Sequence, residues 1–155
     1  MSRSHELALV AVCKNGSVGV DIEFQRPLNE ITAIAAQFFS KREQSALSTL
    51  PADQQTPAFF NGWTRKEALL KALGIGLLPA LERFEISLRP EAPTRVLSVN
   101  GDAAAAARWS LTALKPAAGY TAAVAVESAQ SKIVCWEYSV KNDYSHTHCG
   151  TRSCP

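Results

Sequence analysis

The first patterned stretch of the chain is a short continuous apolar run, Leu7 to Cys13, with polar residues on both sides. So brief a run suits a buried strand better than a helix. Lys14-Asn15-Gly16-Ser17 follows, and Asn-Gly is a strong hairpin signal because both residues tolerate positive φ. From Val18 to Glu23 apolar and polar positions alternate: Val18, Val20 and Ile22 on one face, Gly19, Asp21 and Glu23 on the other. The two runs are expected to form a hairpin whose second strand ends in acid.

Pro27 then breaks the strand pattern and the period lengthens. Ile31, Ile34, Ala35 and Phe38 share one side of a helix over Ile31–Phe39. Ser40 and Glu43 form a Ser-x-x-Glu capping box, which starts a second short helix running to about Leu50, where Pro51 ends it. The longest helical stretch runs from about Thr56 to Leu73, with Gly74 as its stop. After it come candidate strands at 83–88, 95–99, 109–115, 121–127 and 133–138, with Ala103–Ala107 a short helical turn or loop. Strands, then helices, then strands predict one α+β domain, an antiparallel sheet packed with a long helix, over residues 1–140. Residues 141–155 are expected to be an unstructured tail.

Composition agrees with a folded domain. The 155 residues are 46% hydrophobic and 19% charged, enough to bury a core. A formal charge of +2 gives no basic stripe for nucleic acid. No apolar run approaches the roughly 20 residues that span a bilayer, and Met1–Glu6 does not read as a secretory signal. A cytoplasmic location with no membrane partner is the default expectation. Cys13 and Cys135 lie in apolar segments, where a thiol behaves as a small buried hydrophobe. His146, His148, Cys149 and Cys154 match no usual zinc spacing.

Three acids attract notice. Asp21 and Glu23 are two apart on a strand, so both carboxylates project from one face. Glu67 lies on the long helix with Trp63 four residues before it and Lys71 four after, on one helical face. Carboxylate oxygens suit magnesium, which keeps several waters and binds substrate phosphates. Each feature also has an ordinary reading. Asp-x-Glu is commonly the solvent face of a strand, Glu67 and Lys71 an i,i+4 surface pair, Trp63 a core residue, and His5 an exposed polar residue.

Taken together they point further. Val18-Gly19-Val20-Asp21-Ile22-Glu23 followed by Trp63-Thr64-Arg65-Lys66-Glu67-Ala68-Leu69-Leu70-Lys71-Ala72 resembles the two-part signature of the 4′-phosphopantetheinyl transferases, of the surfactin-synthetase-activating type. Ser4-His5 is similar to that subfamily's Ser-His motif, and Phe38-Phe39-Ser40-Lys41-Arg42-Glu43 to its Phe-Phe-Ser-x-x-Glu segment. The resemblance runs from about Ser4 to about Val126.

The resemblance implies an enzyme that moves the phosphopantetheine arm of coenzyme A onto a serine of an apo acyl or peptidyl carrier protein, releasing adenosine 3′,5′-bisphosphate. It implies Asp21, Glu23 and Glu67 as magnesium ligands. Glu67 would be the base for the carrier serine, directly or through a metal-bound water. Lys71 would steady charge on the phosphates, and Ser4, His5 and Lys66 would contact coenzyme A phosphate. The physics agrees: phosphoryl-type transfer asks chiefly for positioning and charge stabilisation.

Members of the subfamily are typically two similar halves related by a pseudo-twofold, with coenzyme A between them, and this chain resembles the second half. Glu6 stands where the family often has Ser or Gly. Three expectations follow: a truncated transferase, a homodimer in which a second copy replaces the first half, or a non-catalytic module that binds coenzyme A or a carrier protein.

Overall fold

The computed structural model describes residues 1–75, 81–138 and 150–152, without the side chains of Glu82 and of 150–152. In chain order the elements are β1 (Ser2–Ser4), β2 (Leu7–Leu9), β3 (Val18–Phe24), α1 (Ile31–Phe38), α2 (Lys41–Ser48) and α3 (Ala52–Leu73). A 3₁₀ turn (Leu81–Arg83) leads to β4 (Phe84–Ile86), β5 (Val96–Val99), α4 (Ala103–Ala106), β6 (Ser110–Leu114), β7 (Tyr120–Val126), β8 (Cys135–Glu137) and β9 (Gly150–Arg152).

The centre is an antiparallel three-stranded sheet in the order β3-β7-β6. Its β3–β7 ladder is unbroken from Val18↔Val126 to Phe24↔Tyr120. Strand period 2 gives the sheet two faces. Ala123, Ala125 and Leu111 pack into the main core with Phe59, Phe60, Leu69 and Leu70 of α3. Val20, Val124 and Val126 form a second cluster, covered by Leu9, Ala11 and Ile133. Small residues lie under the helix and larger ones on the far side, so α3 approaches the sheet closely.

Gly19 carries that approach furthest. A Cβ there would lie 2.0 Å from the carbonyl oxygen of Ala68 and 2.4 Å from the amide nitrogen of Ala72. The backbones of β3 and α3 are therefore in contact two residues from Asp21. α3 ends at Gly74, whose left-handed φ of +67° lets its N–H reach the carbonyls of Leu70 and Lys71.

Several expectations shift at their edges, and one fails. The long helix starts at Ala52 instead of about Thr56, with Pro51 as N-cap and Gln54 N–H donating to its carbonyl. Pro57 lies inside the helix, in its second turn, and gives up the hydrogen bond its N–H would have made to the carbonyl of Asp53. The capping box forms in full, Ser40 Oγ accepting from Glu43 N–H and Glu43 Oε2 from Ser40 N–H.

The expected hairpin between Leu7–Cys13 and Val18–Glu23 does not form. β2 keeps only Leu7–Leu9 and pairs with β1. One edge of β3 is already paired to β7 along its whole length, and the other receives side-chain hydroxyls from β1. Asn15-Gly16 still turns the chain, with Gly16 at φ +84°.

Within the expected tail, Gly150–Arg152 is a strand paired antiparallel to β8. Cys135, expected as a buried thiol, is half-buried and disulfide-bonded, while Cys13 is a free, half-buried thiol. His146, His148, Cys149 and Cys154 lie outside the described residues. Among the described residues no helix is long and apolar enough to cross a membrane.

Candidate active site

Both faces of β3 are buried, and the acidic one faces α3 instead of solvent. Gly19 presses on α3, and the strand period places Asp21 and Glu23 on the same side. Asp21 is only 3% exposed and Glu67 only 5%. The walls of the site are therefore β3 and α3.

Asp21 is held on one oxygen. Its Oδ1 accepts from Lys71 Nζ at 2.7 Å and from Ser2 Oγ at 2.7 Å, and Lys71 Nζ also donates to Ser2 Oγ at 3.1 Å. Lys71 thus pairs across the gap with Asp21 rather than along its own helix with Glu67. Glu23 Oε2 accepts from Ser4 Oγ at 3.1 Å. The remaining side of the cluster is unsatisfied: Asp21 Oδ2 and Glu67 Oε1 are buried and have no hydrogen-bond partner.

Burial and neighbouring charge raise the proton affinity of Glu67 and Glu23. Burial is the largest cause at Glu67, with Asp21 adding to it, Lys71 opposing and Glu23 adding a little more; its carboxyl is pushed up to about 7. Glu23 is also raised, first by burial and then by Asp21, against Ser4, Arg26 and Lys71.

The donor set suits a hard divalent cation. Magnesium is usually held by one or two carboxylates, with water and phosphate completing its octahedron. Two orphaned carboxylate oxygens on facing walls match that demand. Among the described residues no three His, Cys, Asp or Glu side chains close into a ready-made metal group, so any cation here would rely on outside ligands as well.

The expected residues divide. Asp21, Glu23, Glu67 and Lys71 come together, with Ser4 and His5 at their margin. Ser4 turns its hydroxyl inward, donating to Glu23 and accepting from Phe24 N–H at 2.9 Å. His5, an exposed residue at φ +49°, lies against Phe24 with ring centroids 4.4 Å apart, and Phe24 in turn meets Tyr120 edge-on. Glu6 is exposed and its N–H donates to Tyr120 Oη.

Lys66 is not brought to the cluster. It is 1% exposed, and its Nζ lies 2.7 Å from Glu43 Oε2 and donates to the carbonyls of Leu81 and Phe84 at 2.6 Å each. Consecutive helical residues point about 100° apart, so Lys66 and Glu67 serve different sides of α3. Trp63 follows its ordinary reading and packs between Phe38 and Phe59. Two residues of the site escaped sequence reasoning as contributors in their own right: Gly19, which sets the β3–α3 distance, and Ser2. The Ser-x-Ser spacing of Ser2 and Ser4, matching Asp21-x-Glu23, was the available signal.

Comparison with known proteins adds the lineage. Residues 17–125 match the family model described as the 4′-phosphopantetheinyl transferase superfamily. The chain is 38% identical over 138 residues to 4′-phosphopantetheinyl transferase HetI of Nostoc sp., covering 89% of this chain and 55% of HetI. It is 38% identical over 74 residues to 4′-phosphopantetheinyl transferase Sfp of Bacillus subtilis, covering 48% of this chain and 32% of Sfp. The crystal structure of Thermotoga maritima holo-[acyl-carrier-protein] synthase shares the fold, with a TM-score of 0.54 at 16% identity, covering 90% of this chain and 84% of that one. The match thus extends over about half of HetI and a third of Sfp.

Proposed function

Because the chain belongs to the 4′-phosphopantetheinyl transferase superfamily, we propose that it carries a magnesium-dependent site for moving the phosphopantetheine arm of coenzyme A to a serine of an apo carrier protein. The observation that carries this reading is the pair of orphaned, buried carboxylate oxygens, Asp21 Oδ2 and Glu67 Oε1, on the facing walls of β3 and α3.

Asp21, Glu23 and Glu67 would hold the cation. When bound, magnesium offsets the phosphate charge and polarises the phosphoryl group under attack. The chain's own residues do the rest. Glu67 accepts the proton of the carrier serine as that oxygen bonds to the phosphorus of the pantetheine arm. The phosphoanhydride bond breaks, and adenosine 3′,5′-bisphosphate leaves with the electron pair. Lys71, the more exposed partner of Asp21, can turn toward the phosphates, and Ser4 and His5 at the margin contact the phosphate groups of coenzyme A. Lys66 is no part of this reading, since its ammonium is consumed by Glu43 and two carbonyls. A cytoplasmic location, where coenzyme A and a carrier protein would meet the chain, belongs to the same proposal.

The test is intact-mass analysis of an apo carrier protein incubated with this chain, coenzyme A and magnesium. The expected result is a gain of one phosphopantetheine arm, abolished by chelator. No gain, with the carrier shown competent by a full-length transferase, overturns the reading.

A second reading is favoured by the Lys71–Asp21 pairing, which already occupies one oxygen of the cluster. Here the chain is a module that binds coenzyme A or a carrier protein without transfer. Calorimetry would then find coenzyme A binding with no product.

A further inference from the structure

β3 has one edge without a strand ladder. β1 runs beside it but pairs with β2, and two serine hydroxyls take the place of a neighbouring strand's carbonyls. Ile22 N–H donates to Ser2 Oγ at 3.4 Å and Phe24 N–H to Ser4 Oγ at 2.9 Å. Each hydroxyl has one proton to give, and each gives it to the acid beside it, Ser2 to Asp21 and Ser4 to Glu23. Ser2 Oγ is the more fully used. It donates to Asp21 Oδ1 at 2.7 Å while accepting from Ile22 N–H and from Lys71 Nζ, which fills a hydroxyl's capacity of one donor and two acceptor sites.

We propose that Ser2 is a positioning residue of the site. The terminal torsion of an aspartate is broad and roughly twofold, so burial alone does not decide which oxygen faces the interior. Lys71 by itself cannot decide it either, because a flexible ammonium follows whichever oxygen it can reach. Ser2 is anchored to the β3 backbone through Ile22 N–H, so its hydroxyl is a fixed donor. It pins Oδ1 at the strand edge beside Lys71 and leaves Oδ2 buried and without a partner. The same hydroxyl gives Lys71 a second acceptor, which holds the ammonium at the rim of the cluster instead of among the carboxylates.

This inference rests on the cation-binding part of the proposed function and not on transfer itself. The whole chain, with Ser2→Ala and Ser2→Thr, is titrated with manganese as the probe cation, followed by its electron spin resonance signal, and assayed in parallel for transfer. Ser2→Ala should weaken manganese binding on the order of 10–100-fold, as loss of a partner that orients a metal ligand does. The chain should stay folded, kcat should fall more than KM rises, and Ser2→Thr, which keeps the hydroxyl, should recover most of both. Manganese affinity in Ser2→Ala within twofold of the unsubstituted chain overturns the inference, as does an equal loss in Ser2→Thr. If affinity falls as expected while the unsubstituted chain transfers nothing, the transfer reading fails and Ser2 keeps its role.

Discussion

Two acid–lysine pairs lie on opposite sides of α3, each with an N···O distance of 2.7 Å. In the first, Glu43 accepts from Lys66, from Ser40 N–H and from Ile86 N–H, while Lys66 also reaches two carbonyls. In the second, Lys71 and Ser2 satisfy one oxygen of Asp21, and the other oxygen stays orphaned beside an orphaned oxygen of Glu67. Equal distances therefore accompany opposite chemistry. The closed pair ties α2, α3 and β4 together, and both oxygens of its carboxylate are hydrogen-bonded. The open cluster retains buried acceptor capacity, which costs stability unless something occupies it. Completeness of hydrogen bonding, not ion-pair length, separates the closed pair from the open cluster.

Glu67→Gln should break the open side. On the proposed roles it removes both a cation ligand and the base, so transfer should fall on the order of 10²–10⁴-fold, while circular dichroism shows an unchanged fold. Transfer at the original rate would remove Glu67 from the chemistry. Lys66→Met should break the closed side. It leaves Glu43, already raised by burial, without its counter-ion in a site 2% exposed, at a cost of roughly 3–5 kcal/mol by urea denaturation. Pairing it with Glu43→Gln should recover part of that loss, because the stranded charge is then gone.

Titration should separate the two sides again. The Glu67 carboxyl is pushed from 4.5 to about 7 in the folded chain. Between those values the folded state holds a proton that the unfolded chain has released, so stability must fall as pH rises through this window. The decline should reach at most roughly 3 kcal/mol in chelator, with Glu23, raised in the same direction, adding to it. Glu67→Gln should flatten the curve and leave the chain more stable than the original at pH 8. An unchanged slope in that variant would mean that another group carries the pH dependence.

Much of this was legible in the sequence because it depends on local rules. The capping box at Ser40 and Glu43, the α3 stop at Gly74 and the shared face of Asp21 and Glu23 each follow from spacing over a few residues. What spacing could not give was direction in the assembled fold. Nothing local says that the Asp21/Glu23 face turns toward α3; that follows from Gly19 admitting the helix backbone, a contact made across fifty residues of chain. Lys66 and Lys71 look alike on paper, and only the positions of Glu43 and Asp21 tell them apart. The failed hairpin has the same origin. Asn15-Gly16 bends the chain, but β7, far along the chain, takes one edge of β3 with a seven-residue ladder and the serine hydroxyls of β1 take the other.

The smallest effect tests whether charge or capping dominates the closed pair. Ser40 takes part in both: its Oγ caps α2 by accepting from Glu43 N–H, and its N–H donates to the Glu43 carboxylate. Ser40→Ala removes only the first. The backbone donor to Glu43 survives, and Lys66 and Ile86 still hold the carboxylate. The loss should therefore be that of an ordinary N-cap, about 1 kcal/mol, well below that of Lys66→Met. Ser40 Oγ also donates to Glu85 Oε1 at 3.3 Å, but Glu85 keeps Ser98 as a donor, so that bond should add little. If Ser40→Ala instead costs as much as Lys66→Met, the closed pair is held by its cap and not by its buried charge, and the contrast with the open cluster would have to be redrawn around α2.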